Sequence, residues 1–148
     1  MADYKIVLAK KHKSIVDENT QREVDDVQRF FNQIKPQLKE GTVNFVFLKG
    51  FYEDVTKNTK VRGVFVNNTE ETLVALKLKL KLQVPAQANV EMAQLDIFLK
   101  QDFLGEIQSK EGFILHFNVP TNGLQKNQVF NATDISGMLE DVELGFAT

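Results

Sequence analysis

Three lysines on one predicted strand are the residues in this sequence best placed to bind a ligand. Lys77, Lys79 and Lys81 alternate with leucines, so a strand would put all three on one face, about 6.6 Å apart. That spacing is similar to the distance between successive backbone phosphates, so an anionic polymer could lie along the row. Lysines on an exposed strand also keep a sheet soluble and discourage edge pairing. The alternation therefore predicts a cationic face that serves either binding or solubility.

Nucleic acid is an unexpected ligand for this cationic face. Proteins that bind single strands usually interleave aromatic side chains with the cations, because bases stack on them. No aromatic residue lies between Lys77 and Lys81, and the net charge of the chain is −2. Acidic side chains on a neighbouring strand could also neutralise the row.

The sequence predicts no catalytic, cofactor-binding or metal-binding residue, and therefore no enzyme. His12 and His116 are the only histidines, and neither belongs to a zinc motif or stands beside a nucleophile motif. His116 alternates with apolar residues, so it should point away from the core. The acidic pairs, such as Glu53-Asp54, fall in predicted turns. A small hydrolase built from two such carboxylates is a third and weaker interpretation.

Phe103 and Leu104 form a second candidate contact site. They lie in a predicted loop over residues 102–107, and they are apolar residues in a polar stretch. They would either plug one end of the fold or, if exposed, form an apolar patch for a partner.

The elements that position these residues are mostly strands. Leucines and Val84 line the face opposite the lysines over residues 76–84, and Pro85 ends that strand. A second alternation runs over Val43, Phe45, Phe47 and Phe51, and a third over residues 113–119. Residues 90–99 are predicted to form one strand. Its apolar residues lie on both faces, which indicates that the helix covers one of these faces. About seven strands separated by turns predict an Ig-like antiparallel β-sandwich.

One amphipathic helix precedes the predicted sandwich. Thr20 and Glu23 have the spacing of a capping box, and Pro36 follows the end of the pattern. The helix over residues 20–35 carries an apolar stripe, formed by Val24, Val27, Phe30, Phe31 and Ile34. This stripe should pack on the sheet; a helix that docks a partner is the alternative.

Length and composition indicate one domain over residues 1–148, with the helix at 20–35 and the sandwich at 42–146. The hydrophobic content of 43% is that of a globular protein. The chain has no cysteine, which excludes disulfides and thiol nucleophiles and is compatible with a reducing cytoplasm. The first residues lack the apolar run of a signal peptide, and no membrane span is expected. We expect a cytoplasmic protein, with export without a classical signal as the alternative.

Four short stretches carry a resemblance to a known family. They are Lys39-Glu40-Gly41-Thr42-Val43, Val64-Phe65-Val66-Asn67-Asn68, Phe103-Leu104-Gly105-Glu106-Ile107 and the strand from Phe113 to Val119. Together they resemble the SLAP-domain proteins, which are associated in some Gram-positive bacteria with accessory Sec secretion and S-layer assembly. Lys110-Glu111-Gly112 stands where that family often has a Pro-Trp pair. The resemblance implies a binding or assembly role around protein export, and it supplies no catalytic residue.

The predicted function is a non-catalytic binding or assembly module with a protein partner, and self-association is left open. The candidate binding residues are Lys77, Lys79, Lys81, Phe103 and Leu104. No cofactor is predicted. The alternative function is binding of an anionic polymer, nucleic acid or teichoic acid, by the three lysines.

Overall fold

The computed structural model describes residues 3–13 and 16–148. Within these ranges the chain forms nine strands and three helices: β1 (Lys5–Val7), α1 (Lys10–Lys13), α2 (Glu18–Ile34), β2 (Thr42–Glu53), β3 (Asn58–Asn68), β4 (Leu73–Gln83), β5 (Glu91–Met92), β6 (Leu95–Leu99), α3 (Gln101–Leu104), β7 (Glu111–Asn122), β8 (Gln128–Phe130) and β9 (Ser136–Phe146). The prediction of a mainly β fold is confirmed, with nine strands rather than about seven.

The strands form two sheets that pack face to face. The large sheet has the order β1-β7-β3-β2-β8, with β5 paired to β7, and the small sheet has the order β6-β4-β9. We call the faces that meet the inner faces and the opposite ones the outer faces. Most pairs are antiparallel, as predicted, but β1 runs parallel to β7 at one edge of the large sheet.

The core between the sheets confirms the alternation of β4. The leucines of β4 from Leu76 to Leu82 are at most 3% exposed, and they pack in one cluster with Phe65 and Phe113 of the large sheet. Each fully buried leucine contributes roughly 1.5–3 kcal/mol relative to an exposed one. This burial fixes the register of β4, because a shift by one residue would bury its lysines.

A β-bulge in β2 corrects the predicted position of Phe51. Phe47 pairs with Gly63 and Lys49 pairs with Arg62, so Leu48 is an extra residue on β2. The extra residue reverses the alternation. Tyr52 therefore takes the inner position and is fully buried, while Phe51 lies on the outer face instead of beside Phe47.

Residues 90–99 are two strands and not one. β5 pairs with β7 in the large sheet, whereas β6 pairs with β4 in the small sheet. The chain crosses between the sheets at Ala93, whose N–H donates to the Pro120 carbonyl over 2.9 Å. This crossing explains the apolar residues on both faces, and the prediction that a helix covers one side is wrong.

Helix α2 packs on the outer face of the large sheet, as expected, but Ile34 of the predicted stripe is 60% exposed and does not take part. Val27 and Phe31 are buried against Val64, Val66 and Ile114 in a second apolar cluster. The helix begins earlier than predicted, because the Asp17 carboxylate accepts a hydrogen bond from the Thr20 N–H over 2.8 Å. Thr20 is therefore inside the first turn and is not the cap.

The side chain of Gln28 joins α2 to the edge strand β1. It donates to the Tyr4 carbonyl over 2.9 Å and accepts from the Ile6 N–H over 2.7 Å. In the described ranges, no helix is both long and apolar enough to cross a membrane. The assignment of residues 1–148 to one domain stays a prediction.

Candidate functional site

Part of the outer face of the large sheet is left uncovered by α2. The uncovered area carries Lys49, Phe51, Lys60, Arg62 and His116, and we call these five residues the open face. They line a cleft of about 400 Å³ together with Asn118 and the backbone beneath. Since the side chains stand on three paired strands, their spacing is set by the sheet and not by a loop.

Strand register places the open face in two rows. In the first row, Lys49 of β2 pairs with Arg62 of β3, which pairs with His116 of β7. In the second row, Phe51 pairs with Lys60. The bulge at Leu48 is what turns both Lys49 and Phe51 outward, so the site depends on that irregularity.

Carboxylates border the open face on two sides. Glu23 of α2 lies 2.9 Å from His116 Nε2 and 3.3 Å from an Arg62 nitrogen. Glu53 lies 3.1 Å from the Lys60 ammonium. Among the described residues Lys49 has no ion pair, so the open face carries at least one positive charge in excess.

One nitrogen of the Arg62 side chain has no hydrogen-bond partner among the described residues. Its Nε is buried and has no hydrogen-bond partner in the described part of the chain, while its Nη1 reaches Glu23. A buried guanidinium nitrogen without an acceptor carries an unmet desolvation cost. The atom is closed to solvent, so a ligand in the cleft does not reach it without a movement of the side chain.

The cleft combines a histidine beside a carboxylate with cationic side chains around an apolar floor. A histidine oriented by a carboxylate, as His116 is by Glu23, has the form of a general base. The residues that line the cleft supply neither a hydroxyl nor a thiol that such a base could activate. In the described ranges no group of three or more histidine and acidic side chains could hold a metal ion. Cations around an apolar floor are suited to a carboxylate-bearing ligand.

Two other clefts contain several carboxylates. One holds Glu40, Glu70 and Glu71 beside Lys110, and the other holds acidic residues of α3 and β7 beside Lys10 and Lys13. A glycosidase needs one carboxyl group that stays protonated in apolar surroundings. Glu40, Glu70 and Glu71 are exposed, as are Asp102 and Glu106, so neither cleft provides such surroundings for these acids.

Helix α1 places His12 near His116 and Glu23 of the open-face region. Burial lowers the pKa of His12, the charges of His116 and Lys11 lower it further, and Glu23 opposes them. The ring of His12 also lies against Phe103 at 5.2 Å between centroids. Protonation of His12 is therefore less favourable in the folded protein than in the unfolded chain.

We expect the stability of the protein to fall as the pH drops below the ordinary histidine value of 6.5. The unfolded chain binds the His12 proton more tightly, so protonation favours unfolding between that value and the lower folded pKa. Thermal unfolding at about pH 7.5 and about pH 5.5 measures this, with His12→Gln as the comparison. The variant should lose less stability on acidification, and an unchanged pH dependence would contradict the assignment.

The three predicted lysines lie on the outer face of the small sheet, as expected, but among acids. Lys77 pairs with Glu143 at 3.8 Å and Lys79 with Asp141 at 3.6 Å. Asp141 is the extra residue of a bulge in β9, where its φ of 51° is one that aspartate tolerates. Acids thus neutralise much of the row that the sequence predicts as cationic.

Phe103 and Leu104 plug one end of the sandwich. Leu104 in α3 is 1% exposed and belongs to the main core, so it is not available to a partner. Phe103 is half-buried and packs against that core, with the Lys11 ammonium 5.8 Å from its ring. The interpretation of this pair as an exposed contact site is therefore wrong for Leu104.

The stretches that carry the family resemblance have structural roles. Asn67 donates to the carbonyls of Glu71 and Ile107, both over 2.8 Å, and Asn68 donates to the Lys39 carbonyl over 2.9 Å. These bonds fasten β3 to the loops at one end of the sandwich. Searches with family models, curated proteins and solved structures find no match to this chain. The resemblance to SLAP-domain proteins stays a prediction.

Proposed function

We propose that this chain is a non-catalytic binding module that holds an acidic segment of a protein partner against the open face. The observation that supports this most is the excess positive charge around Phe51 in a cleft of about 400 Å³. Cavities of this size accept one or two side chains of a partner.

The proposed ligand follows from the chemistry of the two rows. Lys49, Arg62 and His116 suit carboxylates. Phe51 and the neighbouring Val129, which is 49% exposed, suit an apolar side chain. A segment in which acidic and apolar residues alternate would satisfy both rows when it lies extended across the strands.

An extended polyanion is a less suitable ligand. Its affinity comes from many neutralised phosphates, whereas Glu53 already pairs with Lys60 and Glu23 with Arg62 on the open face. On the small sheet, the acids beside Lys77 and Lys79 have the same effect. Binding of teichoic acid or nucleic acid to that lysine row is therefore the weaker proposal.

The resemblance to SLAP-domain proteins indicates the cellular process in which the partner takes part. It suggests a protein handled during accessory export or S-layer assembly. A cytoplasmic module would meet that partner before export, and an exported one would meet it in the cell envelope.

The first test is the affinity for a peptide of about eight residues in which glutamate alternates with leucine. Lys49→Glu should weaken binding about tenfold, because it replaces attraction to a peptide carboxylate with repulsion. Fluorescence anisotropy of the labelled peptide measures this, and the affinity should fall as salt rises from about 50 to about 300 mM.

Lys81→Glu is the matched control. It changes the net charge equally, but it lies on the outer face of the small sheet. Its affinity should stay within about twofold of the wild type. Equal losses in both variants would show that net charge alone attracts the peptide, and no binding by the wild type would refute an acidic ligand.

A further inference from the structure

Strand β6 is an open edge of the small sheet. Its residues Leu95–Leu99 pair with β4 in an uninterrupted register, and β6 ends the strand order. In the described part of the chain, its backbone makes no hydrogen bond on the other side. An edge with free N–H and C=O groups is a template for another strand.

The opposite edge of the small sheet is protected, and β6 is not. β9 contains the bulge at Asp141 and carries Glu140 and Glu143. Bulges and charges are the usual devices that prevent strand pairing. β6 has no bulge, and four of its five residues are apolar.

We infer that a second copy of this chain pairs antiparallel with β6, with Phe98 opposite Phe98 of the second copy. This register is the one that matches the charges of the strand. Asp96 then lies opposite Lys100 of the second copy, and the reverse pair forms by symmetry. Ile97 lies opposite Leu99 of the second copy on the inner side.

The side chains of the edge are arranged for this pairing. Lys100 has extended backbone angles and its ammonium lies 5.3 Å from the Phe98 ring, so it shares the outer face with Phe98. Neither Asp96 nor Lys100 has an ion pair among the described residues, because Lys79 opposite Asp96 bonds Asp141. Phe98 is 59% exposed.

Dimerisation would cover apolar surface on both faces of the small sheet. On the outer side it would bring the two Phe98 rings together, in a contact that aromatic pairs favour. On the inner side, Leu95, Ile97 and Leu99 are half-buried at the margin of the core. The open face lies on the other sheet, so this inference does not depend on the proposed function.

Charge exchange tests the register. Sedimentation equilibrium between about 10 and about 500 µM should show a monomer–dimer equilibrium for the wild type. Asp96→Lys should weaken it at least about tenfold, since two attractive pairs become repulsive. The double variant Asp96→Lys with Lys100→Asp should return to within about threefold of the wild type. A monomeric wild type, or a double variant no better than the single one, would overturn the inference.

A cysteine at the symmetry axis gives a second readout that does not depend on affinity. The chain has no natural cysteine. Phe98→Cys should form a disulfide-linked dimer on mild oxidation, because facing residues of antiparallel strands have close Cβ atoms. Met138→Cys is the control, since Met138 is 49% exposed on the same sheet but lies on β9. Equal cross-linking of both variants would refute the pairing of β6.

Discussion

Replacing Asn67 with aspartate is expected to lower the free energy of unfolding by roughly 3 kcal/mol or more. Asn67 is fully buried, and its amide nitrogen donates to two backbone carbonyls over 2.8 Å. Its oxygen accepts from the N–H and hydroxyl of Thr69. An aspartate keeps the shape but points an oxygen at both carbonyls, and it brings a charge into a buried position. Urea denaturation curves measure the loss.

Asn44→Asp is the control for this prediction. The Asn44 amide donates to the Lys39 carbonyl over 2.8 Å, but water reaches it there. The same substitution should cost less than about 1 kcal/mol. The loss in Asn67→Asp should also shrink near about pH 4, because a protonated carboxyl can donate a hydrogen bond. Equal losses at the two positions would contradict the role of Asn67.

Gly63→Ala is the second substitution with a large expected effect, a loss of roughly 2–3 kcal/mol. An added Cβ would lie 2.4 Å from two ring carbons of Phe45. That ring cannot move freely, because it packs against Phe65 at 5.0 Å and Phe117 at 6.1 Å between centroids. The close approach of Phe45 to the backbone of β3 therefore requires glycine at this position. Thermal and urea unfolding measure the effect.

Gly50→Ala supplies the comparison, since it makes the same change in the neighbouring strand. Its added Cβ would lie 3.1 Å from a ring atom of Phe47, which needs only a small adjustment. The loss should stay below about 1 kcal/mol. Phe45→Leu in the Gly63→Ala background should recover part of the lost stability, with a coupling of about 1 kcal/mol or more. Additive effects of the two substitutions would contradict the contact.

The sequence predicts β4 well because its two faces differ completely. Alternation of leucine and lysine permits one orientation only, and the core confirms it. Alternation predicts the wrong face for Phe51, because a bulge adds one residue to β2 before it. No local feature of the sequence requires that bulge. Alternation also fails at Ala93, where the chain changes sheets within a stretch that reads as one strand.

The open face has a signal in the sequence that alternation alone does not reveal. On one side of β3, Lys60 and Arg62 are followed by Val64 and Val66. The change from cationic to apolar residues on one face marks the point where α2 begins to cover the sheet. What the sequence cannot supply is Glu23, because the pairing of a helix residue with His116 depends on how the helix docks.

The sequence allows for acids on a neighbouring strand that neutralise the lysine row, but it does not show which acids these are. Glu143 and Asp141 face Lys77 and Lys79 only because β9 pairs with β4, and the sequence separation of these strands hides that pairing. The four stretches that resemble SLAP-domain proteins show a related difficulty. Buried asparagines and close-packed loops in these stretches have structural roles, and such roles indicate a fold without indicating a partner.

The most direct test of the proposed function is a two-dimensional NMR titration of the ¹⁵N-labelled protein with the alternating glutamate–leucine peptide. A peptide that binds the open face should shift the amide signals of Lys49, Phe51, Arg62 and His116, and should leave those of Lys77, Lys79 and Lys81 unchanged. Shifts confined to the small sheet, or none at millimolar peptide, would contradict the proposal.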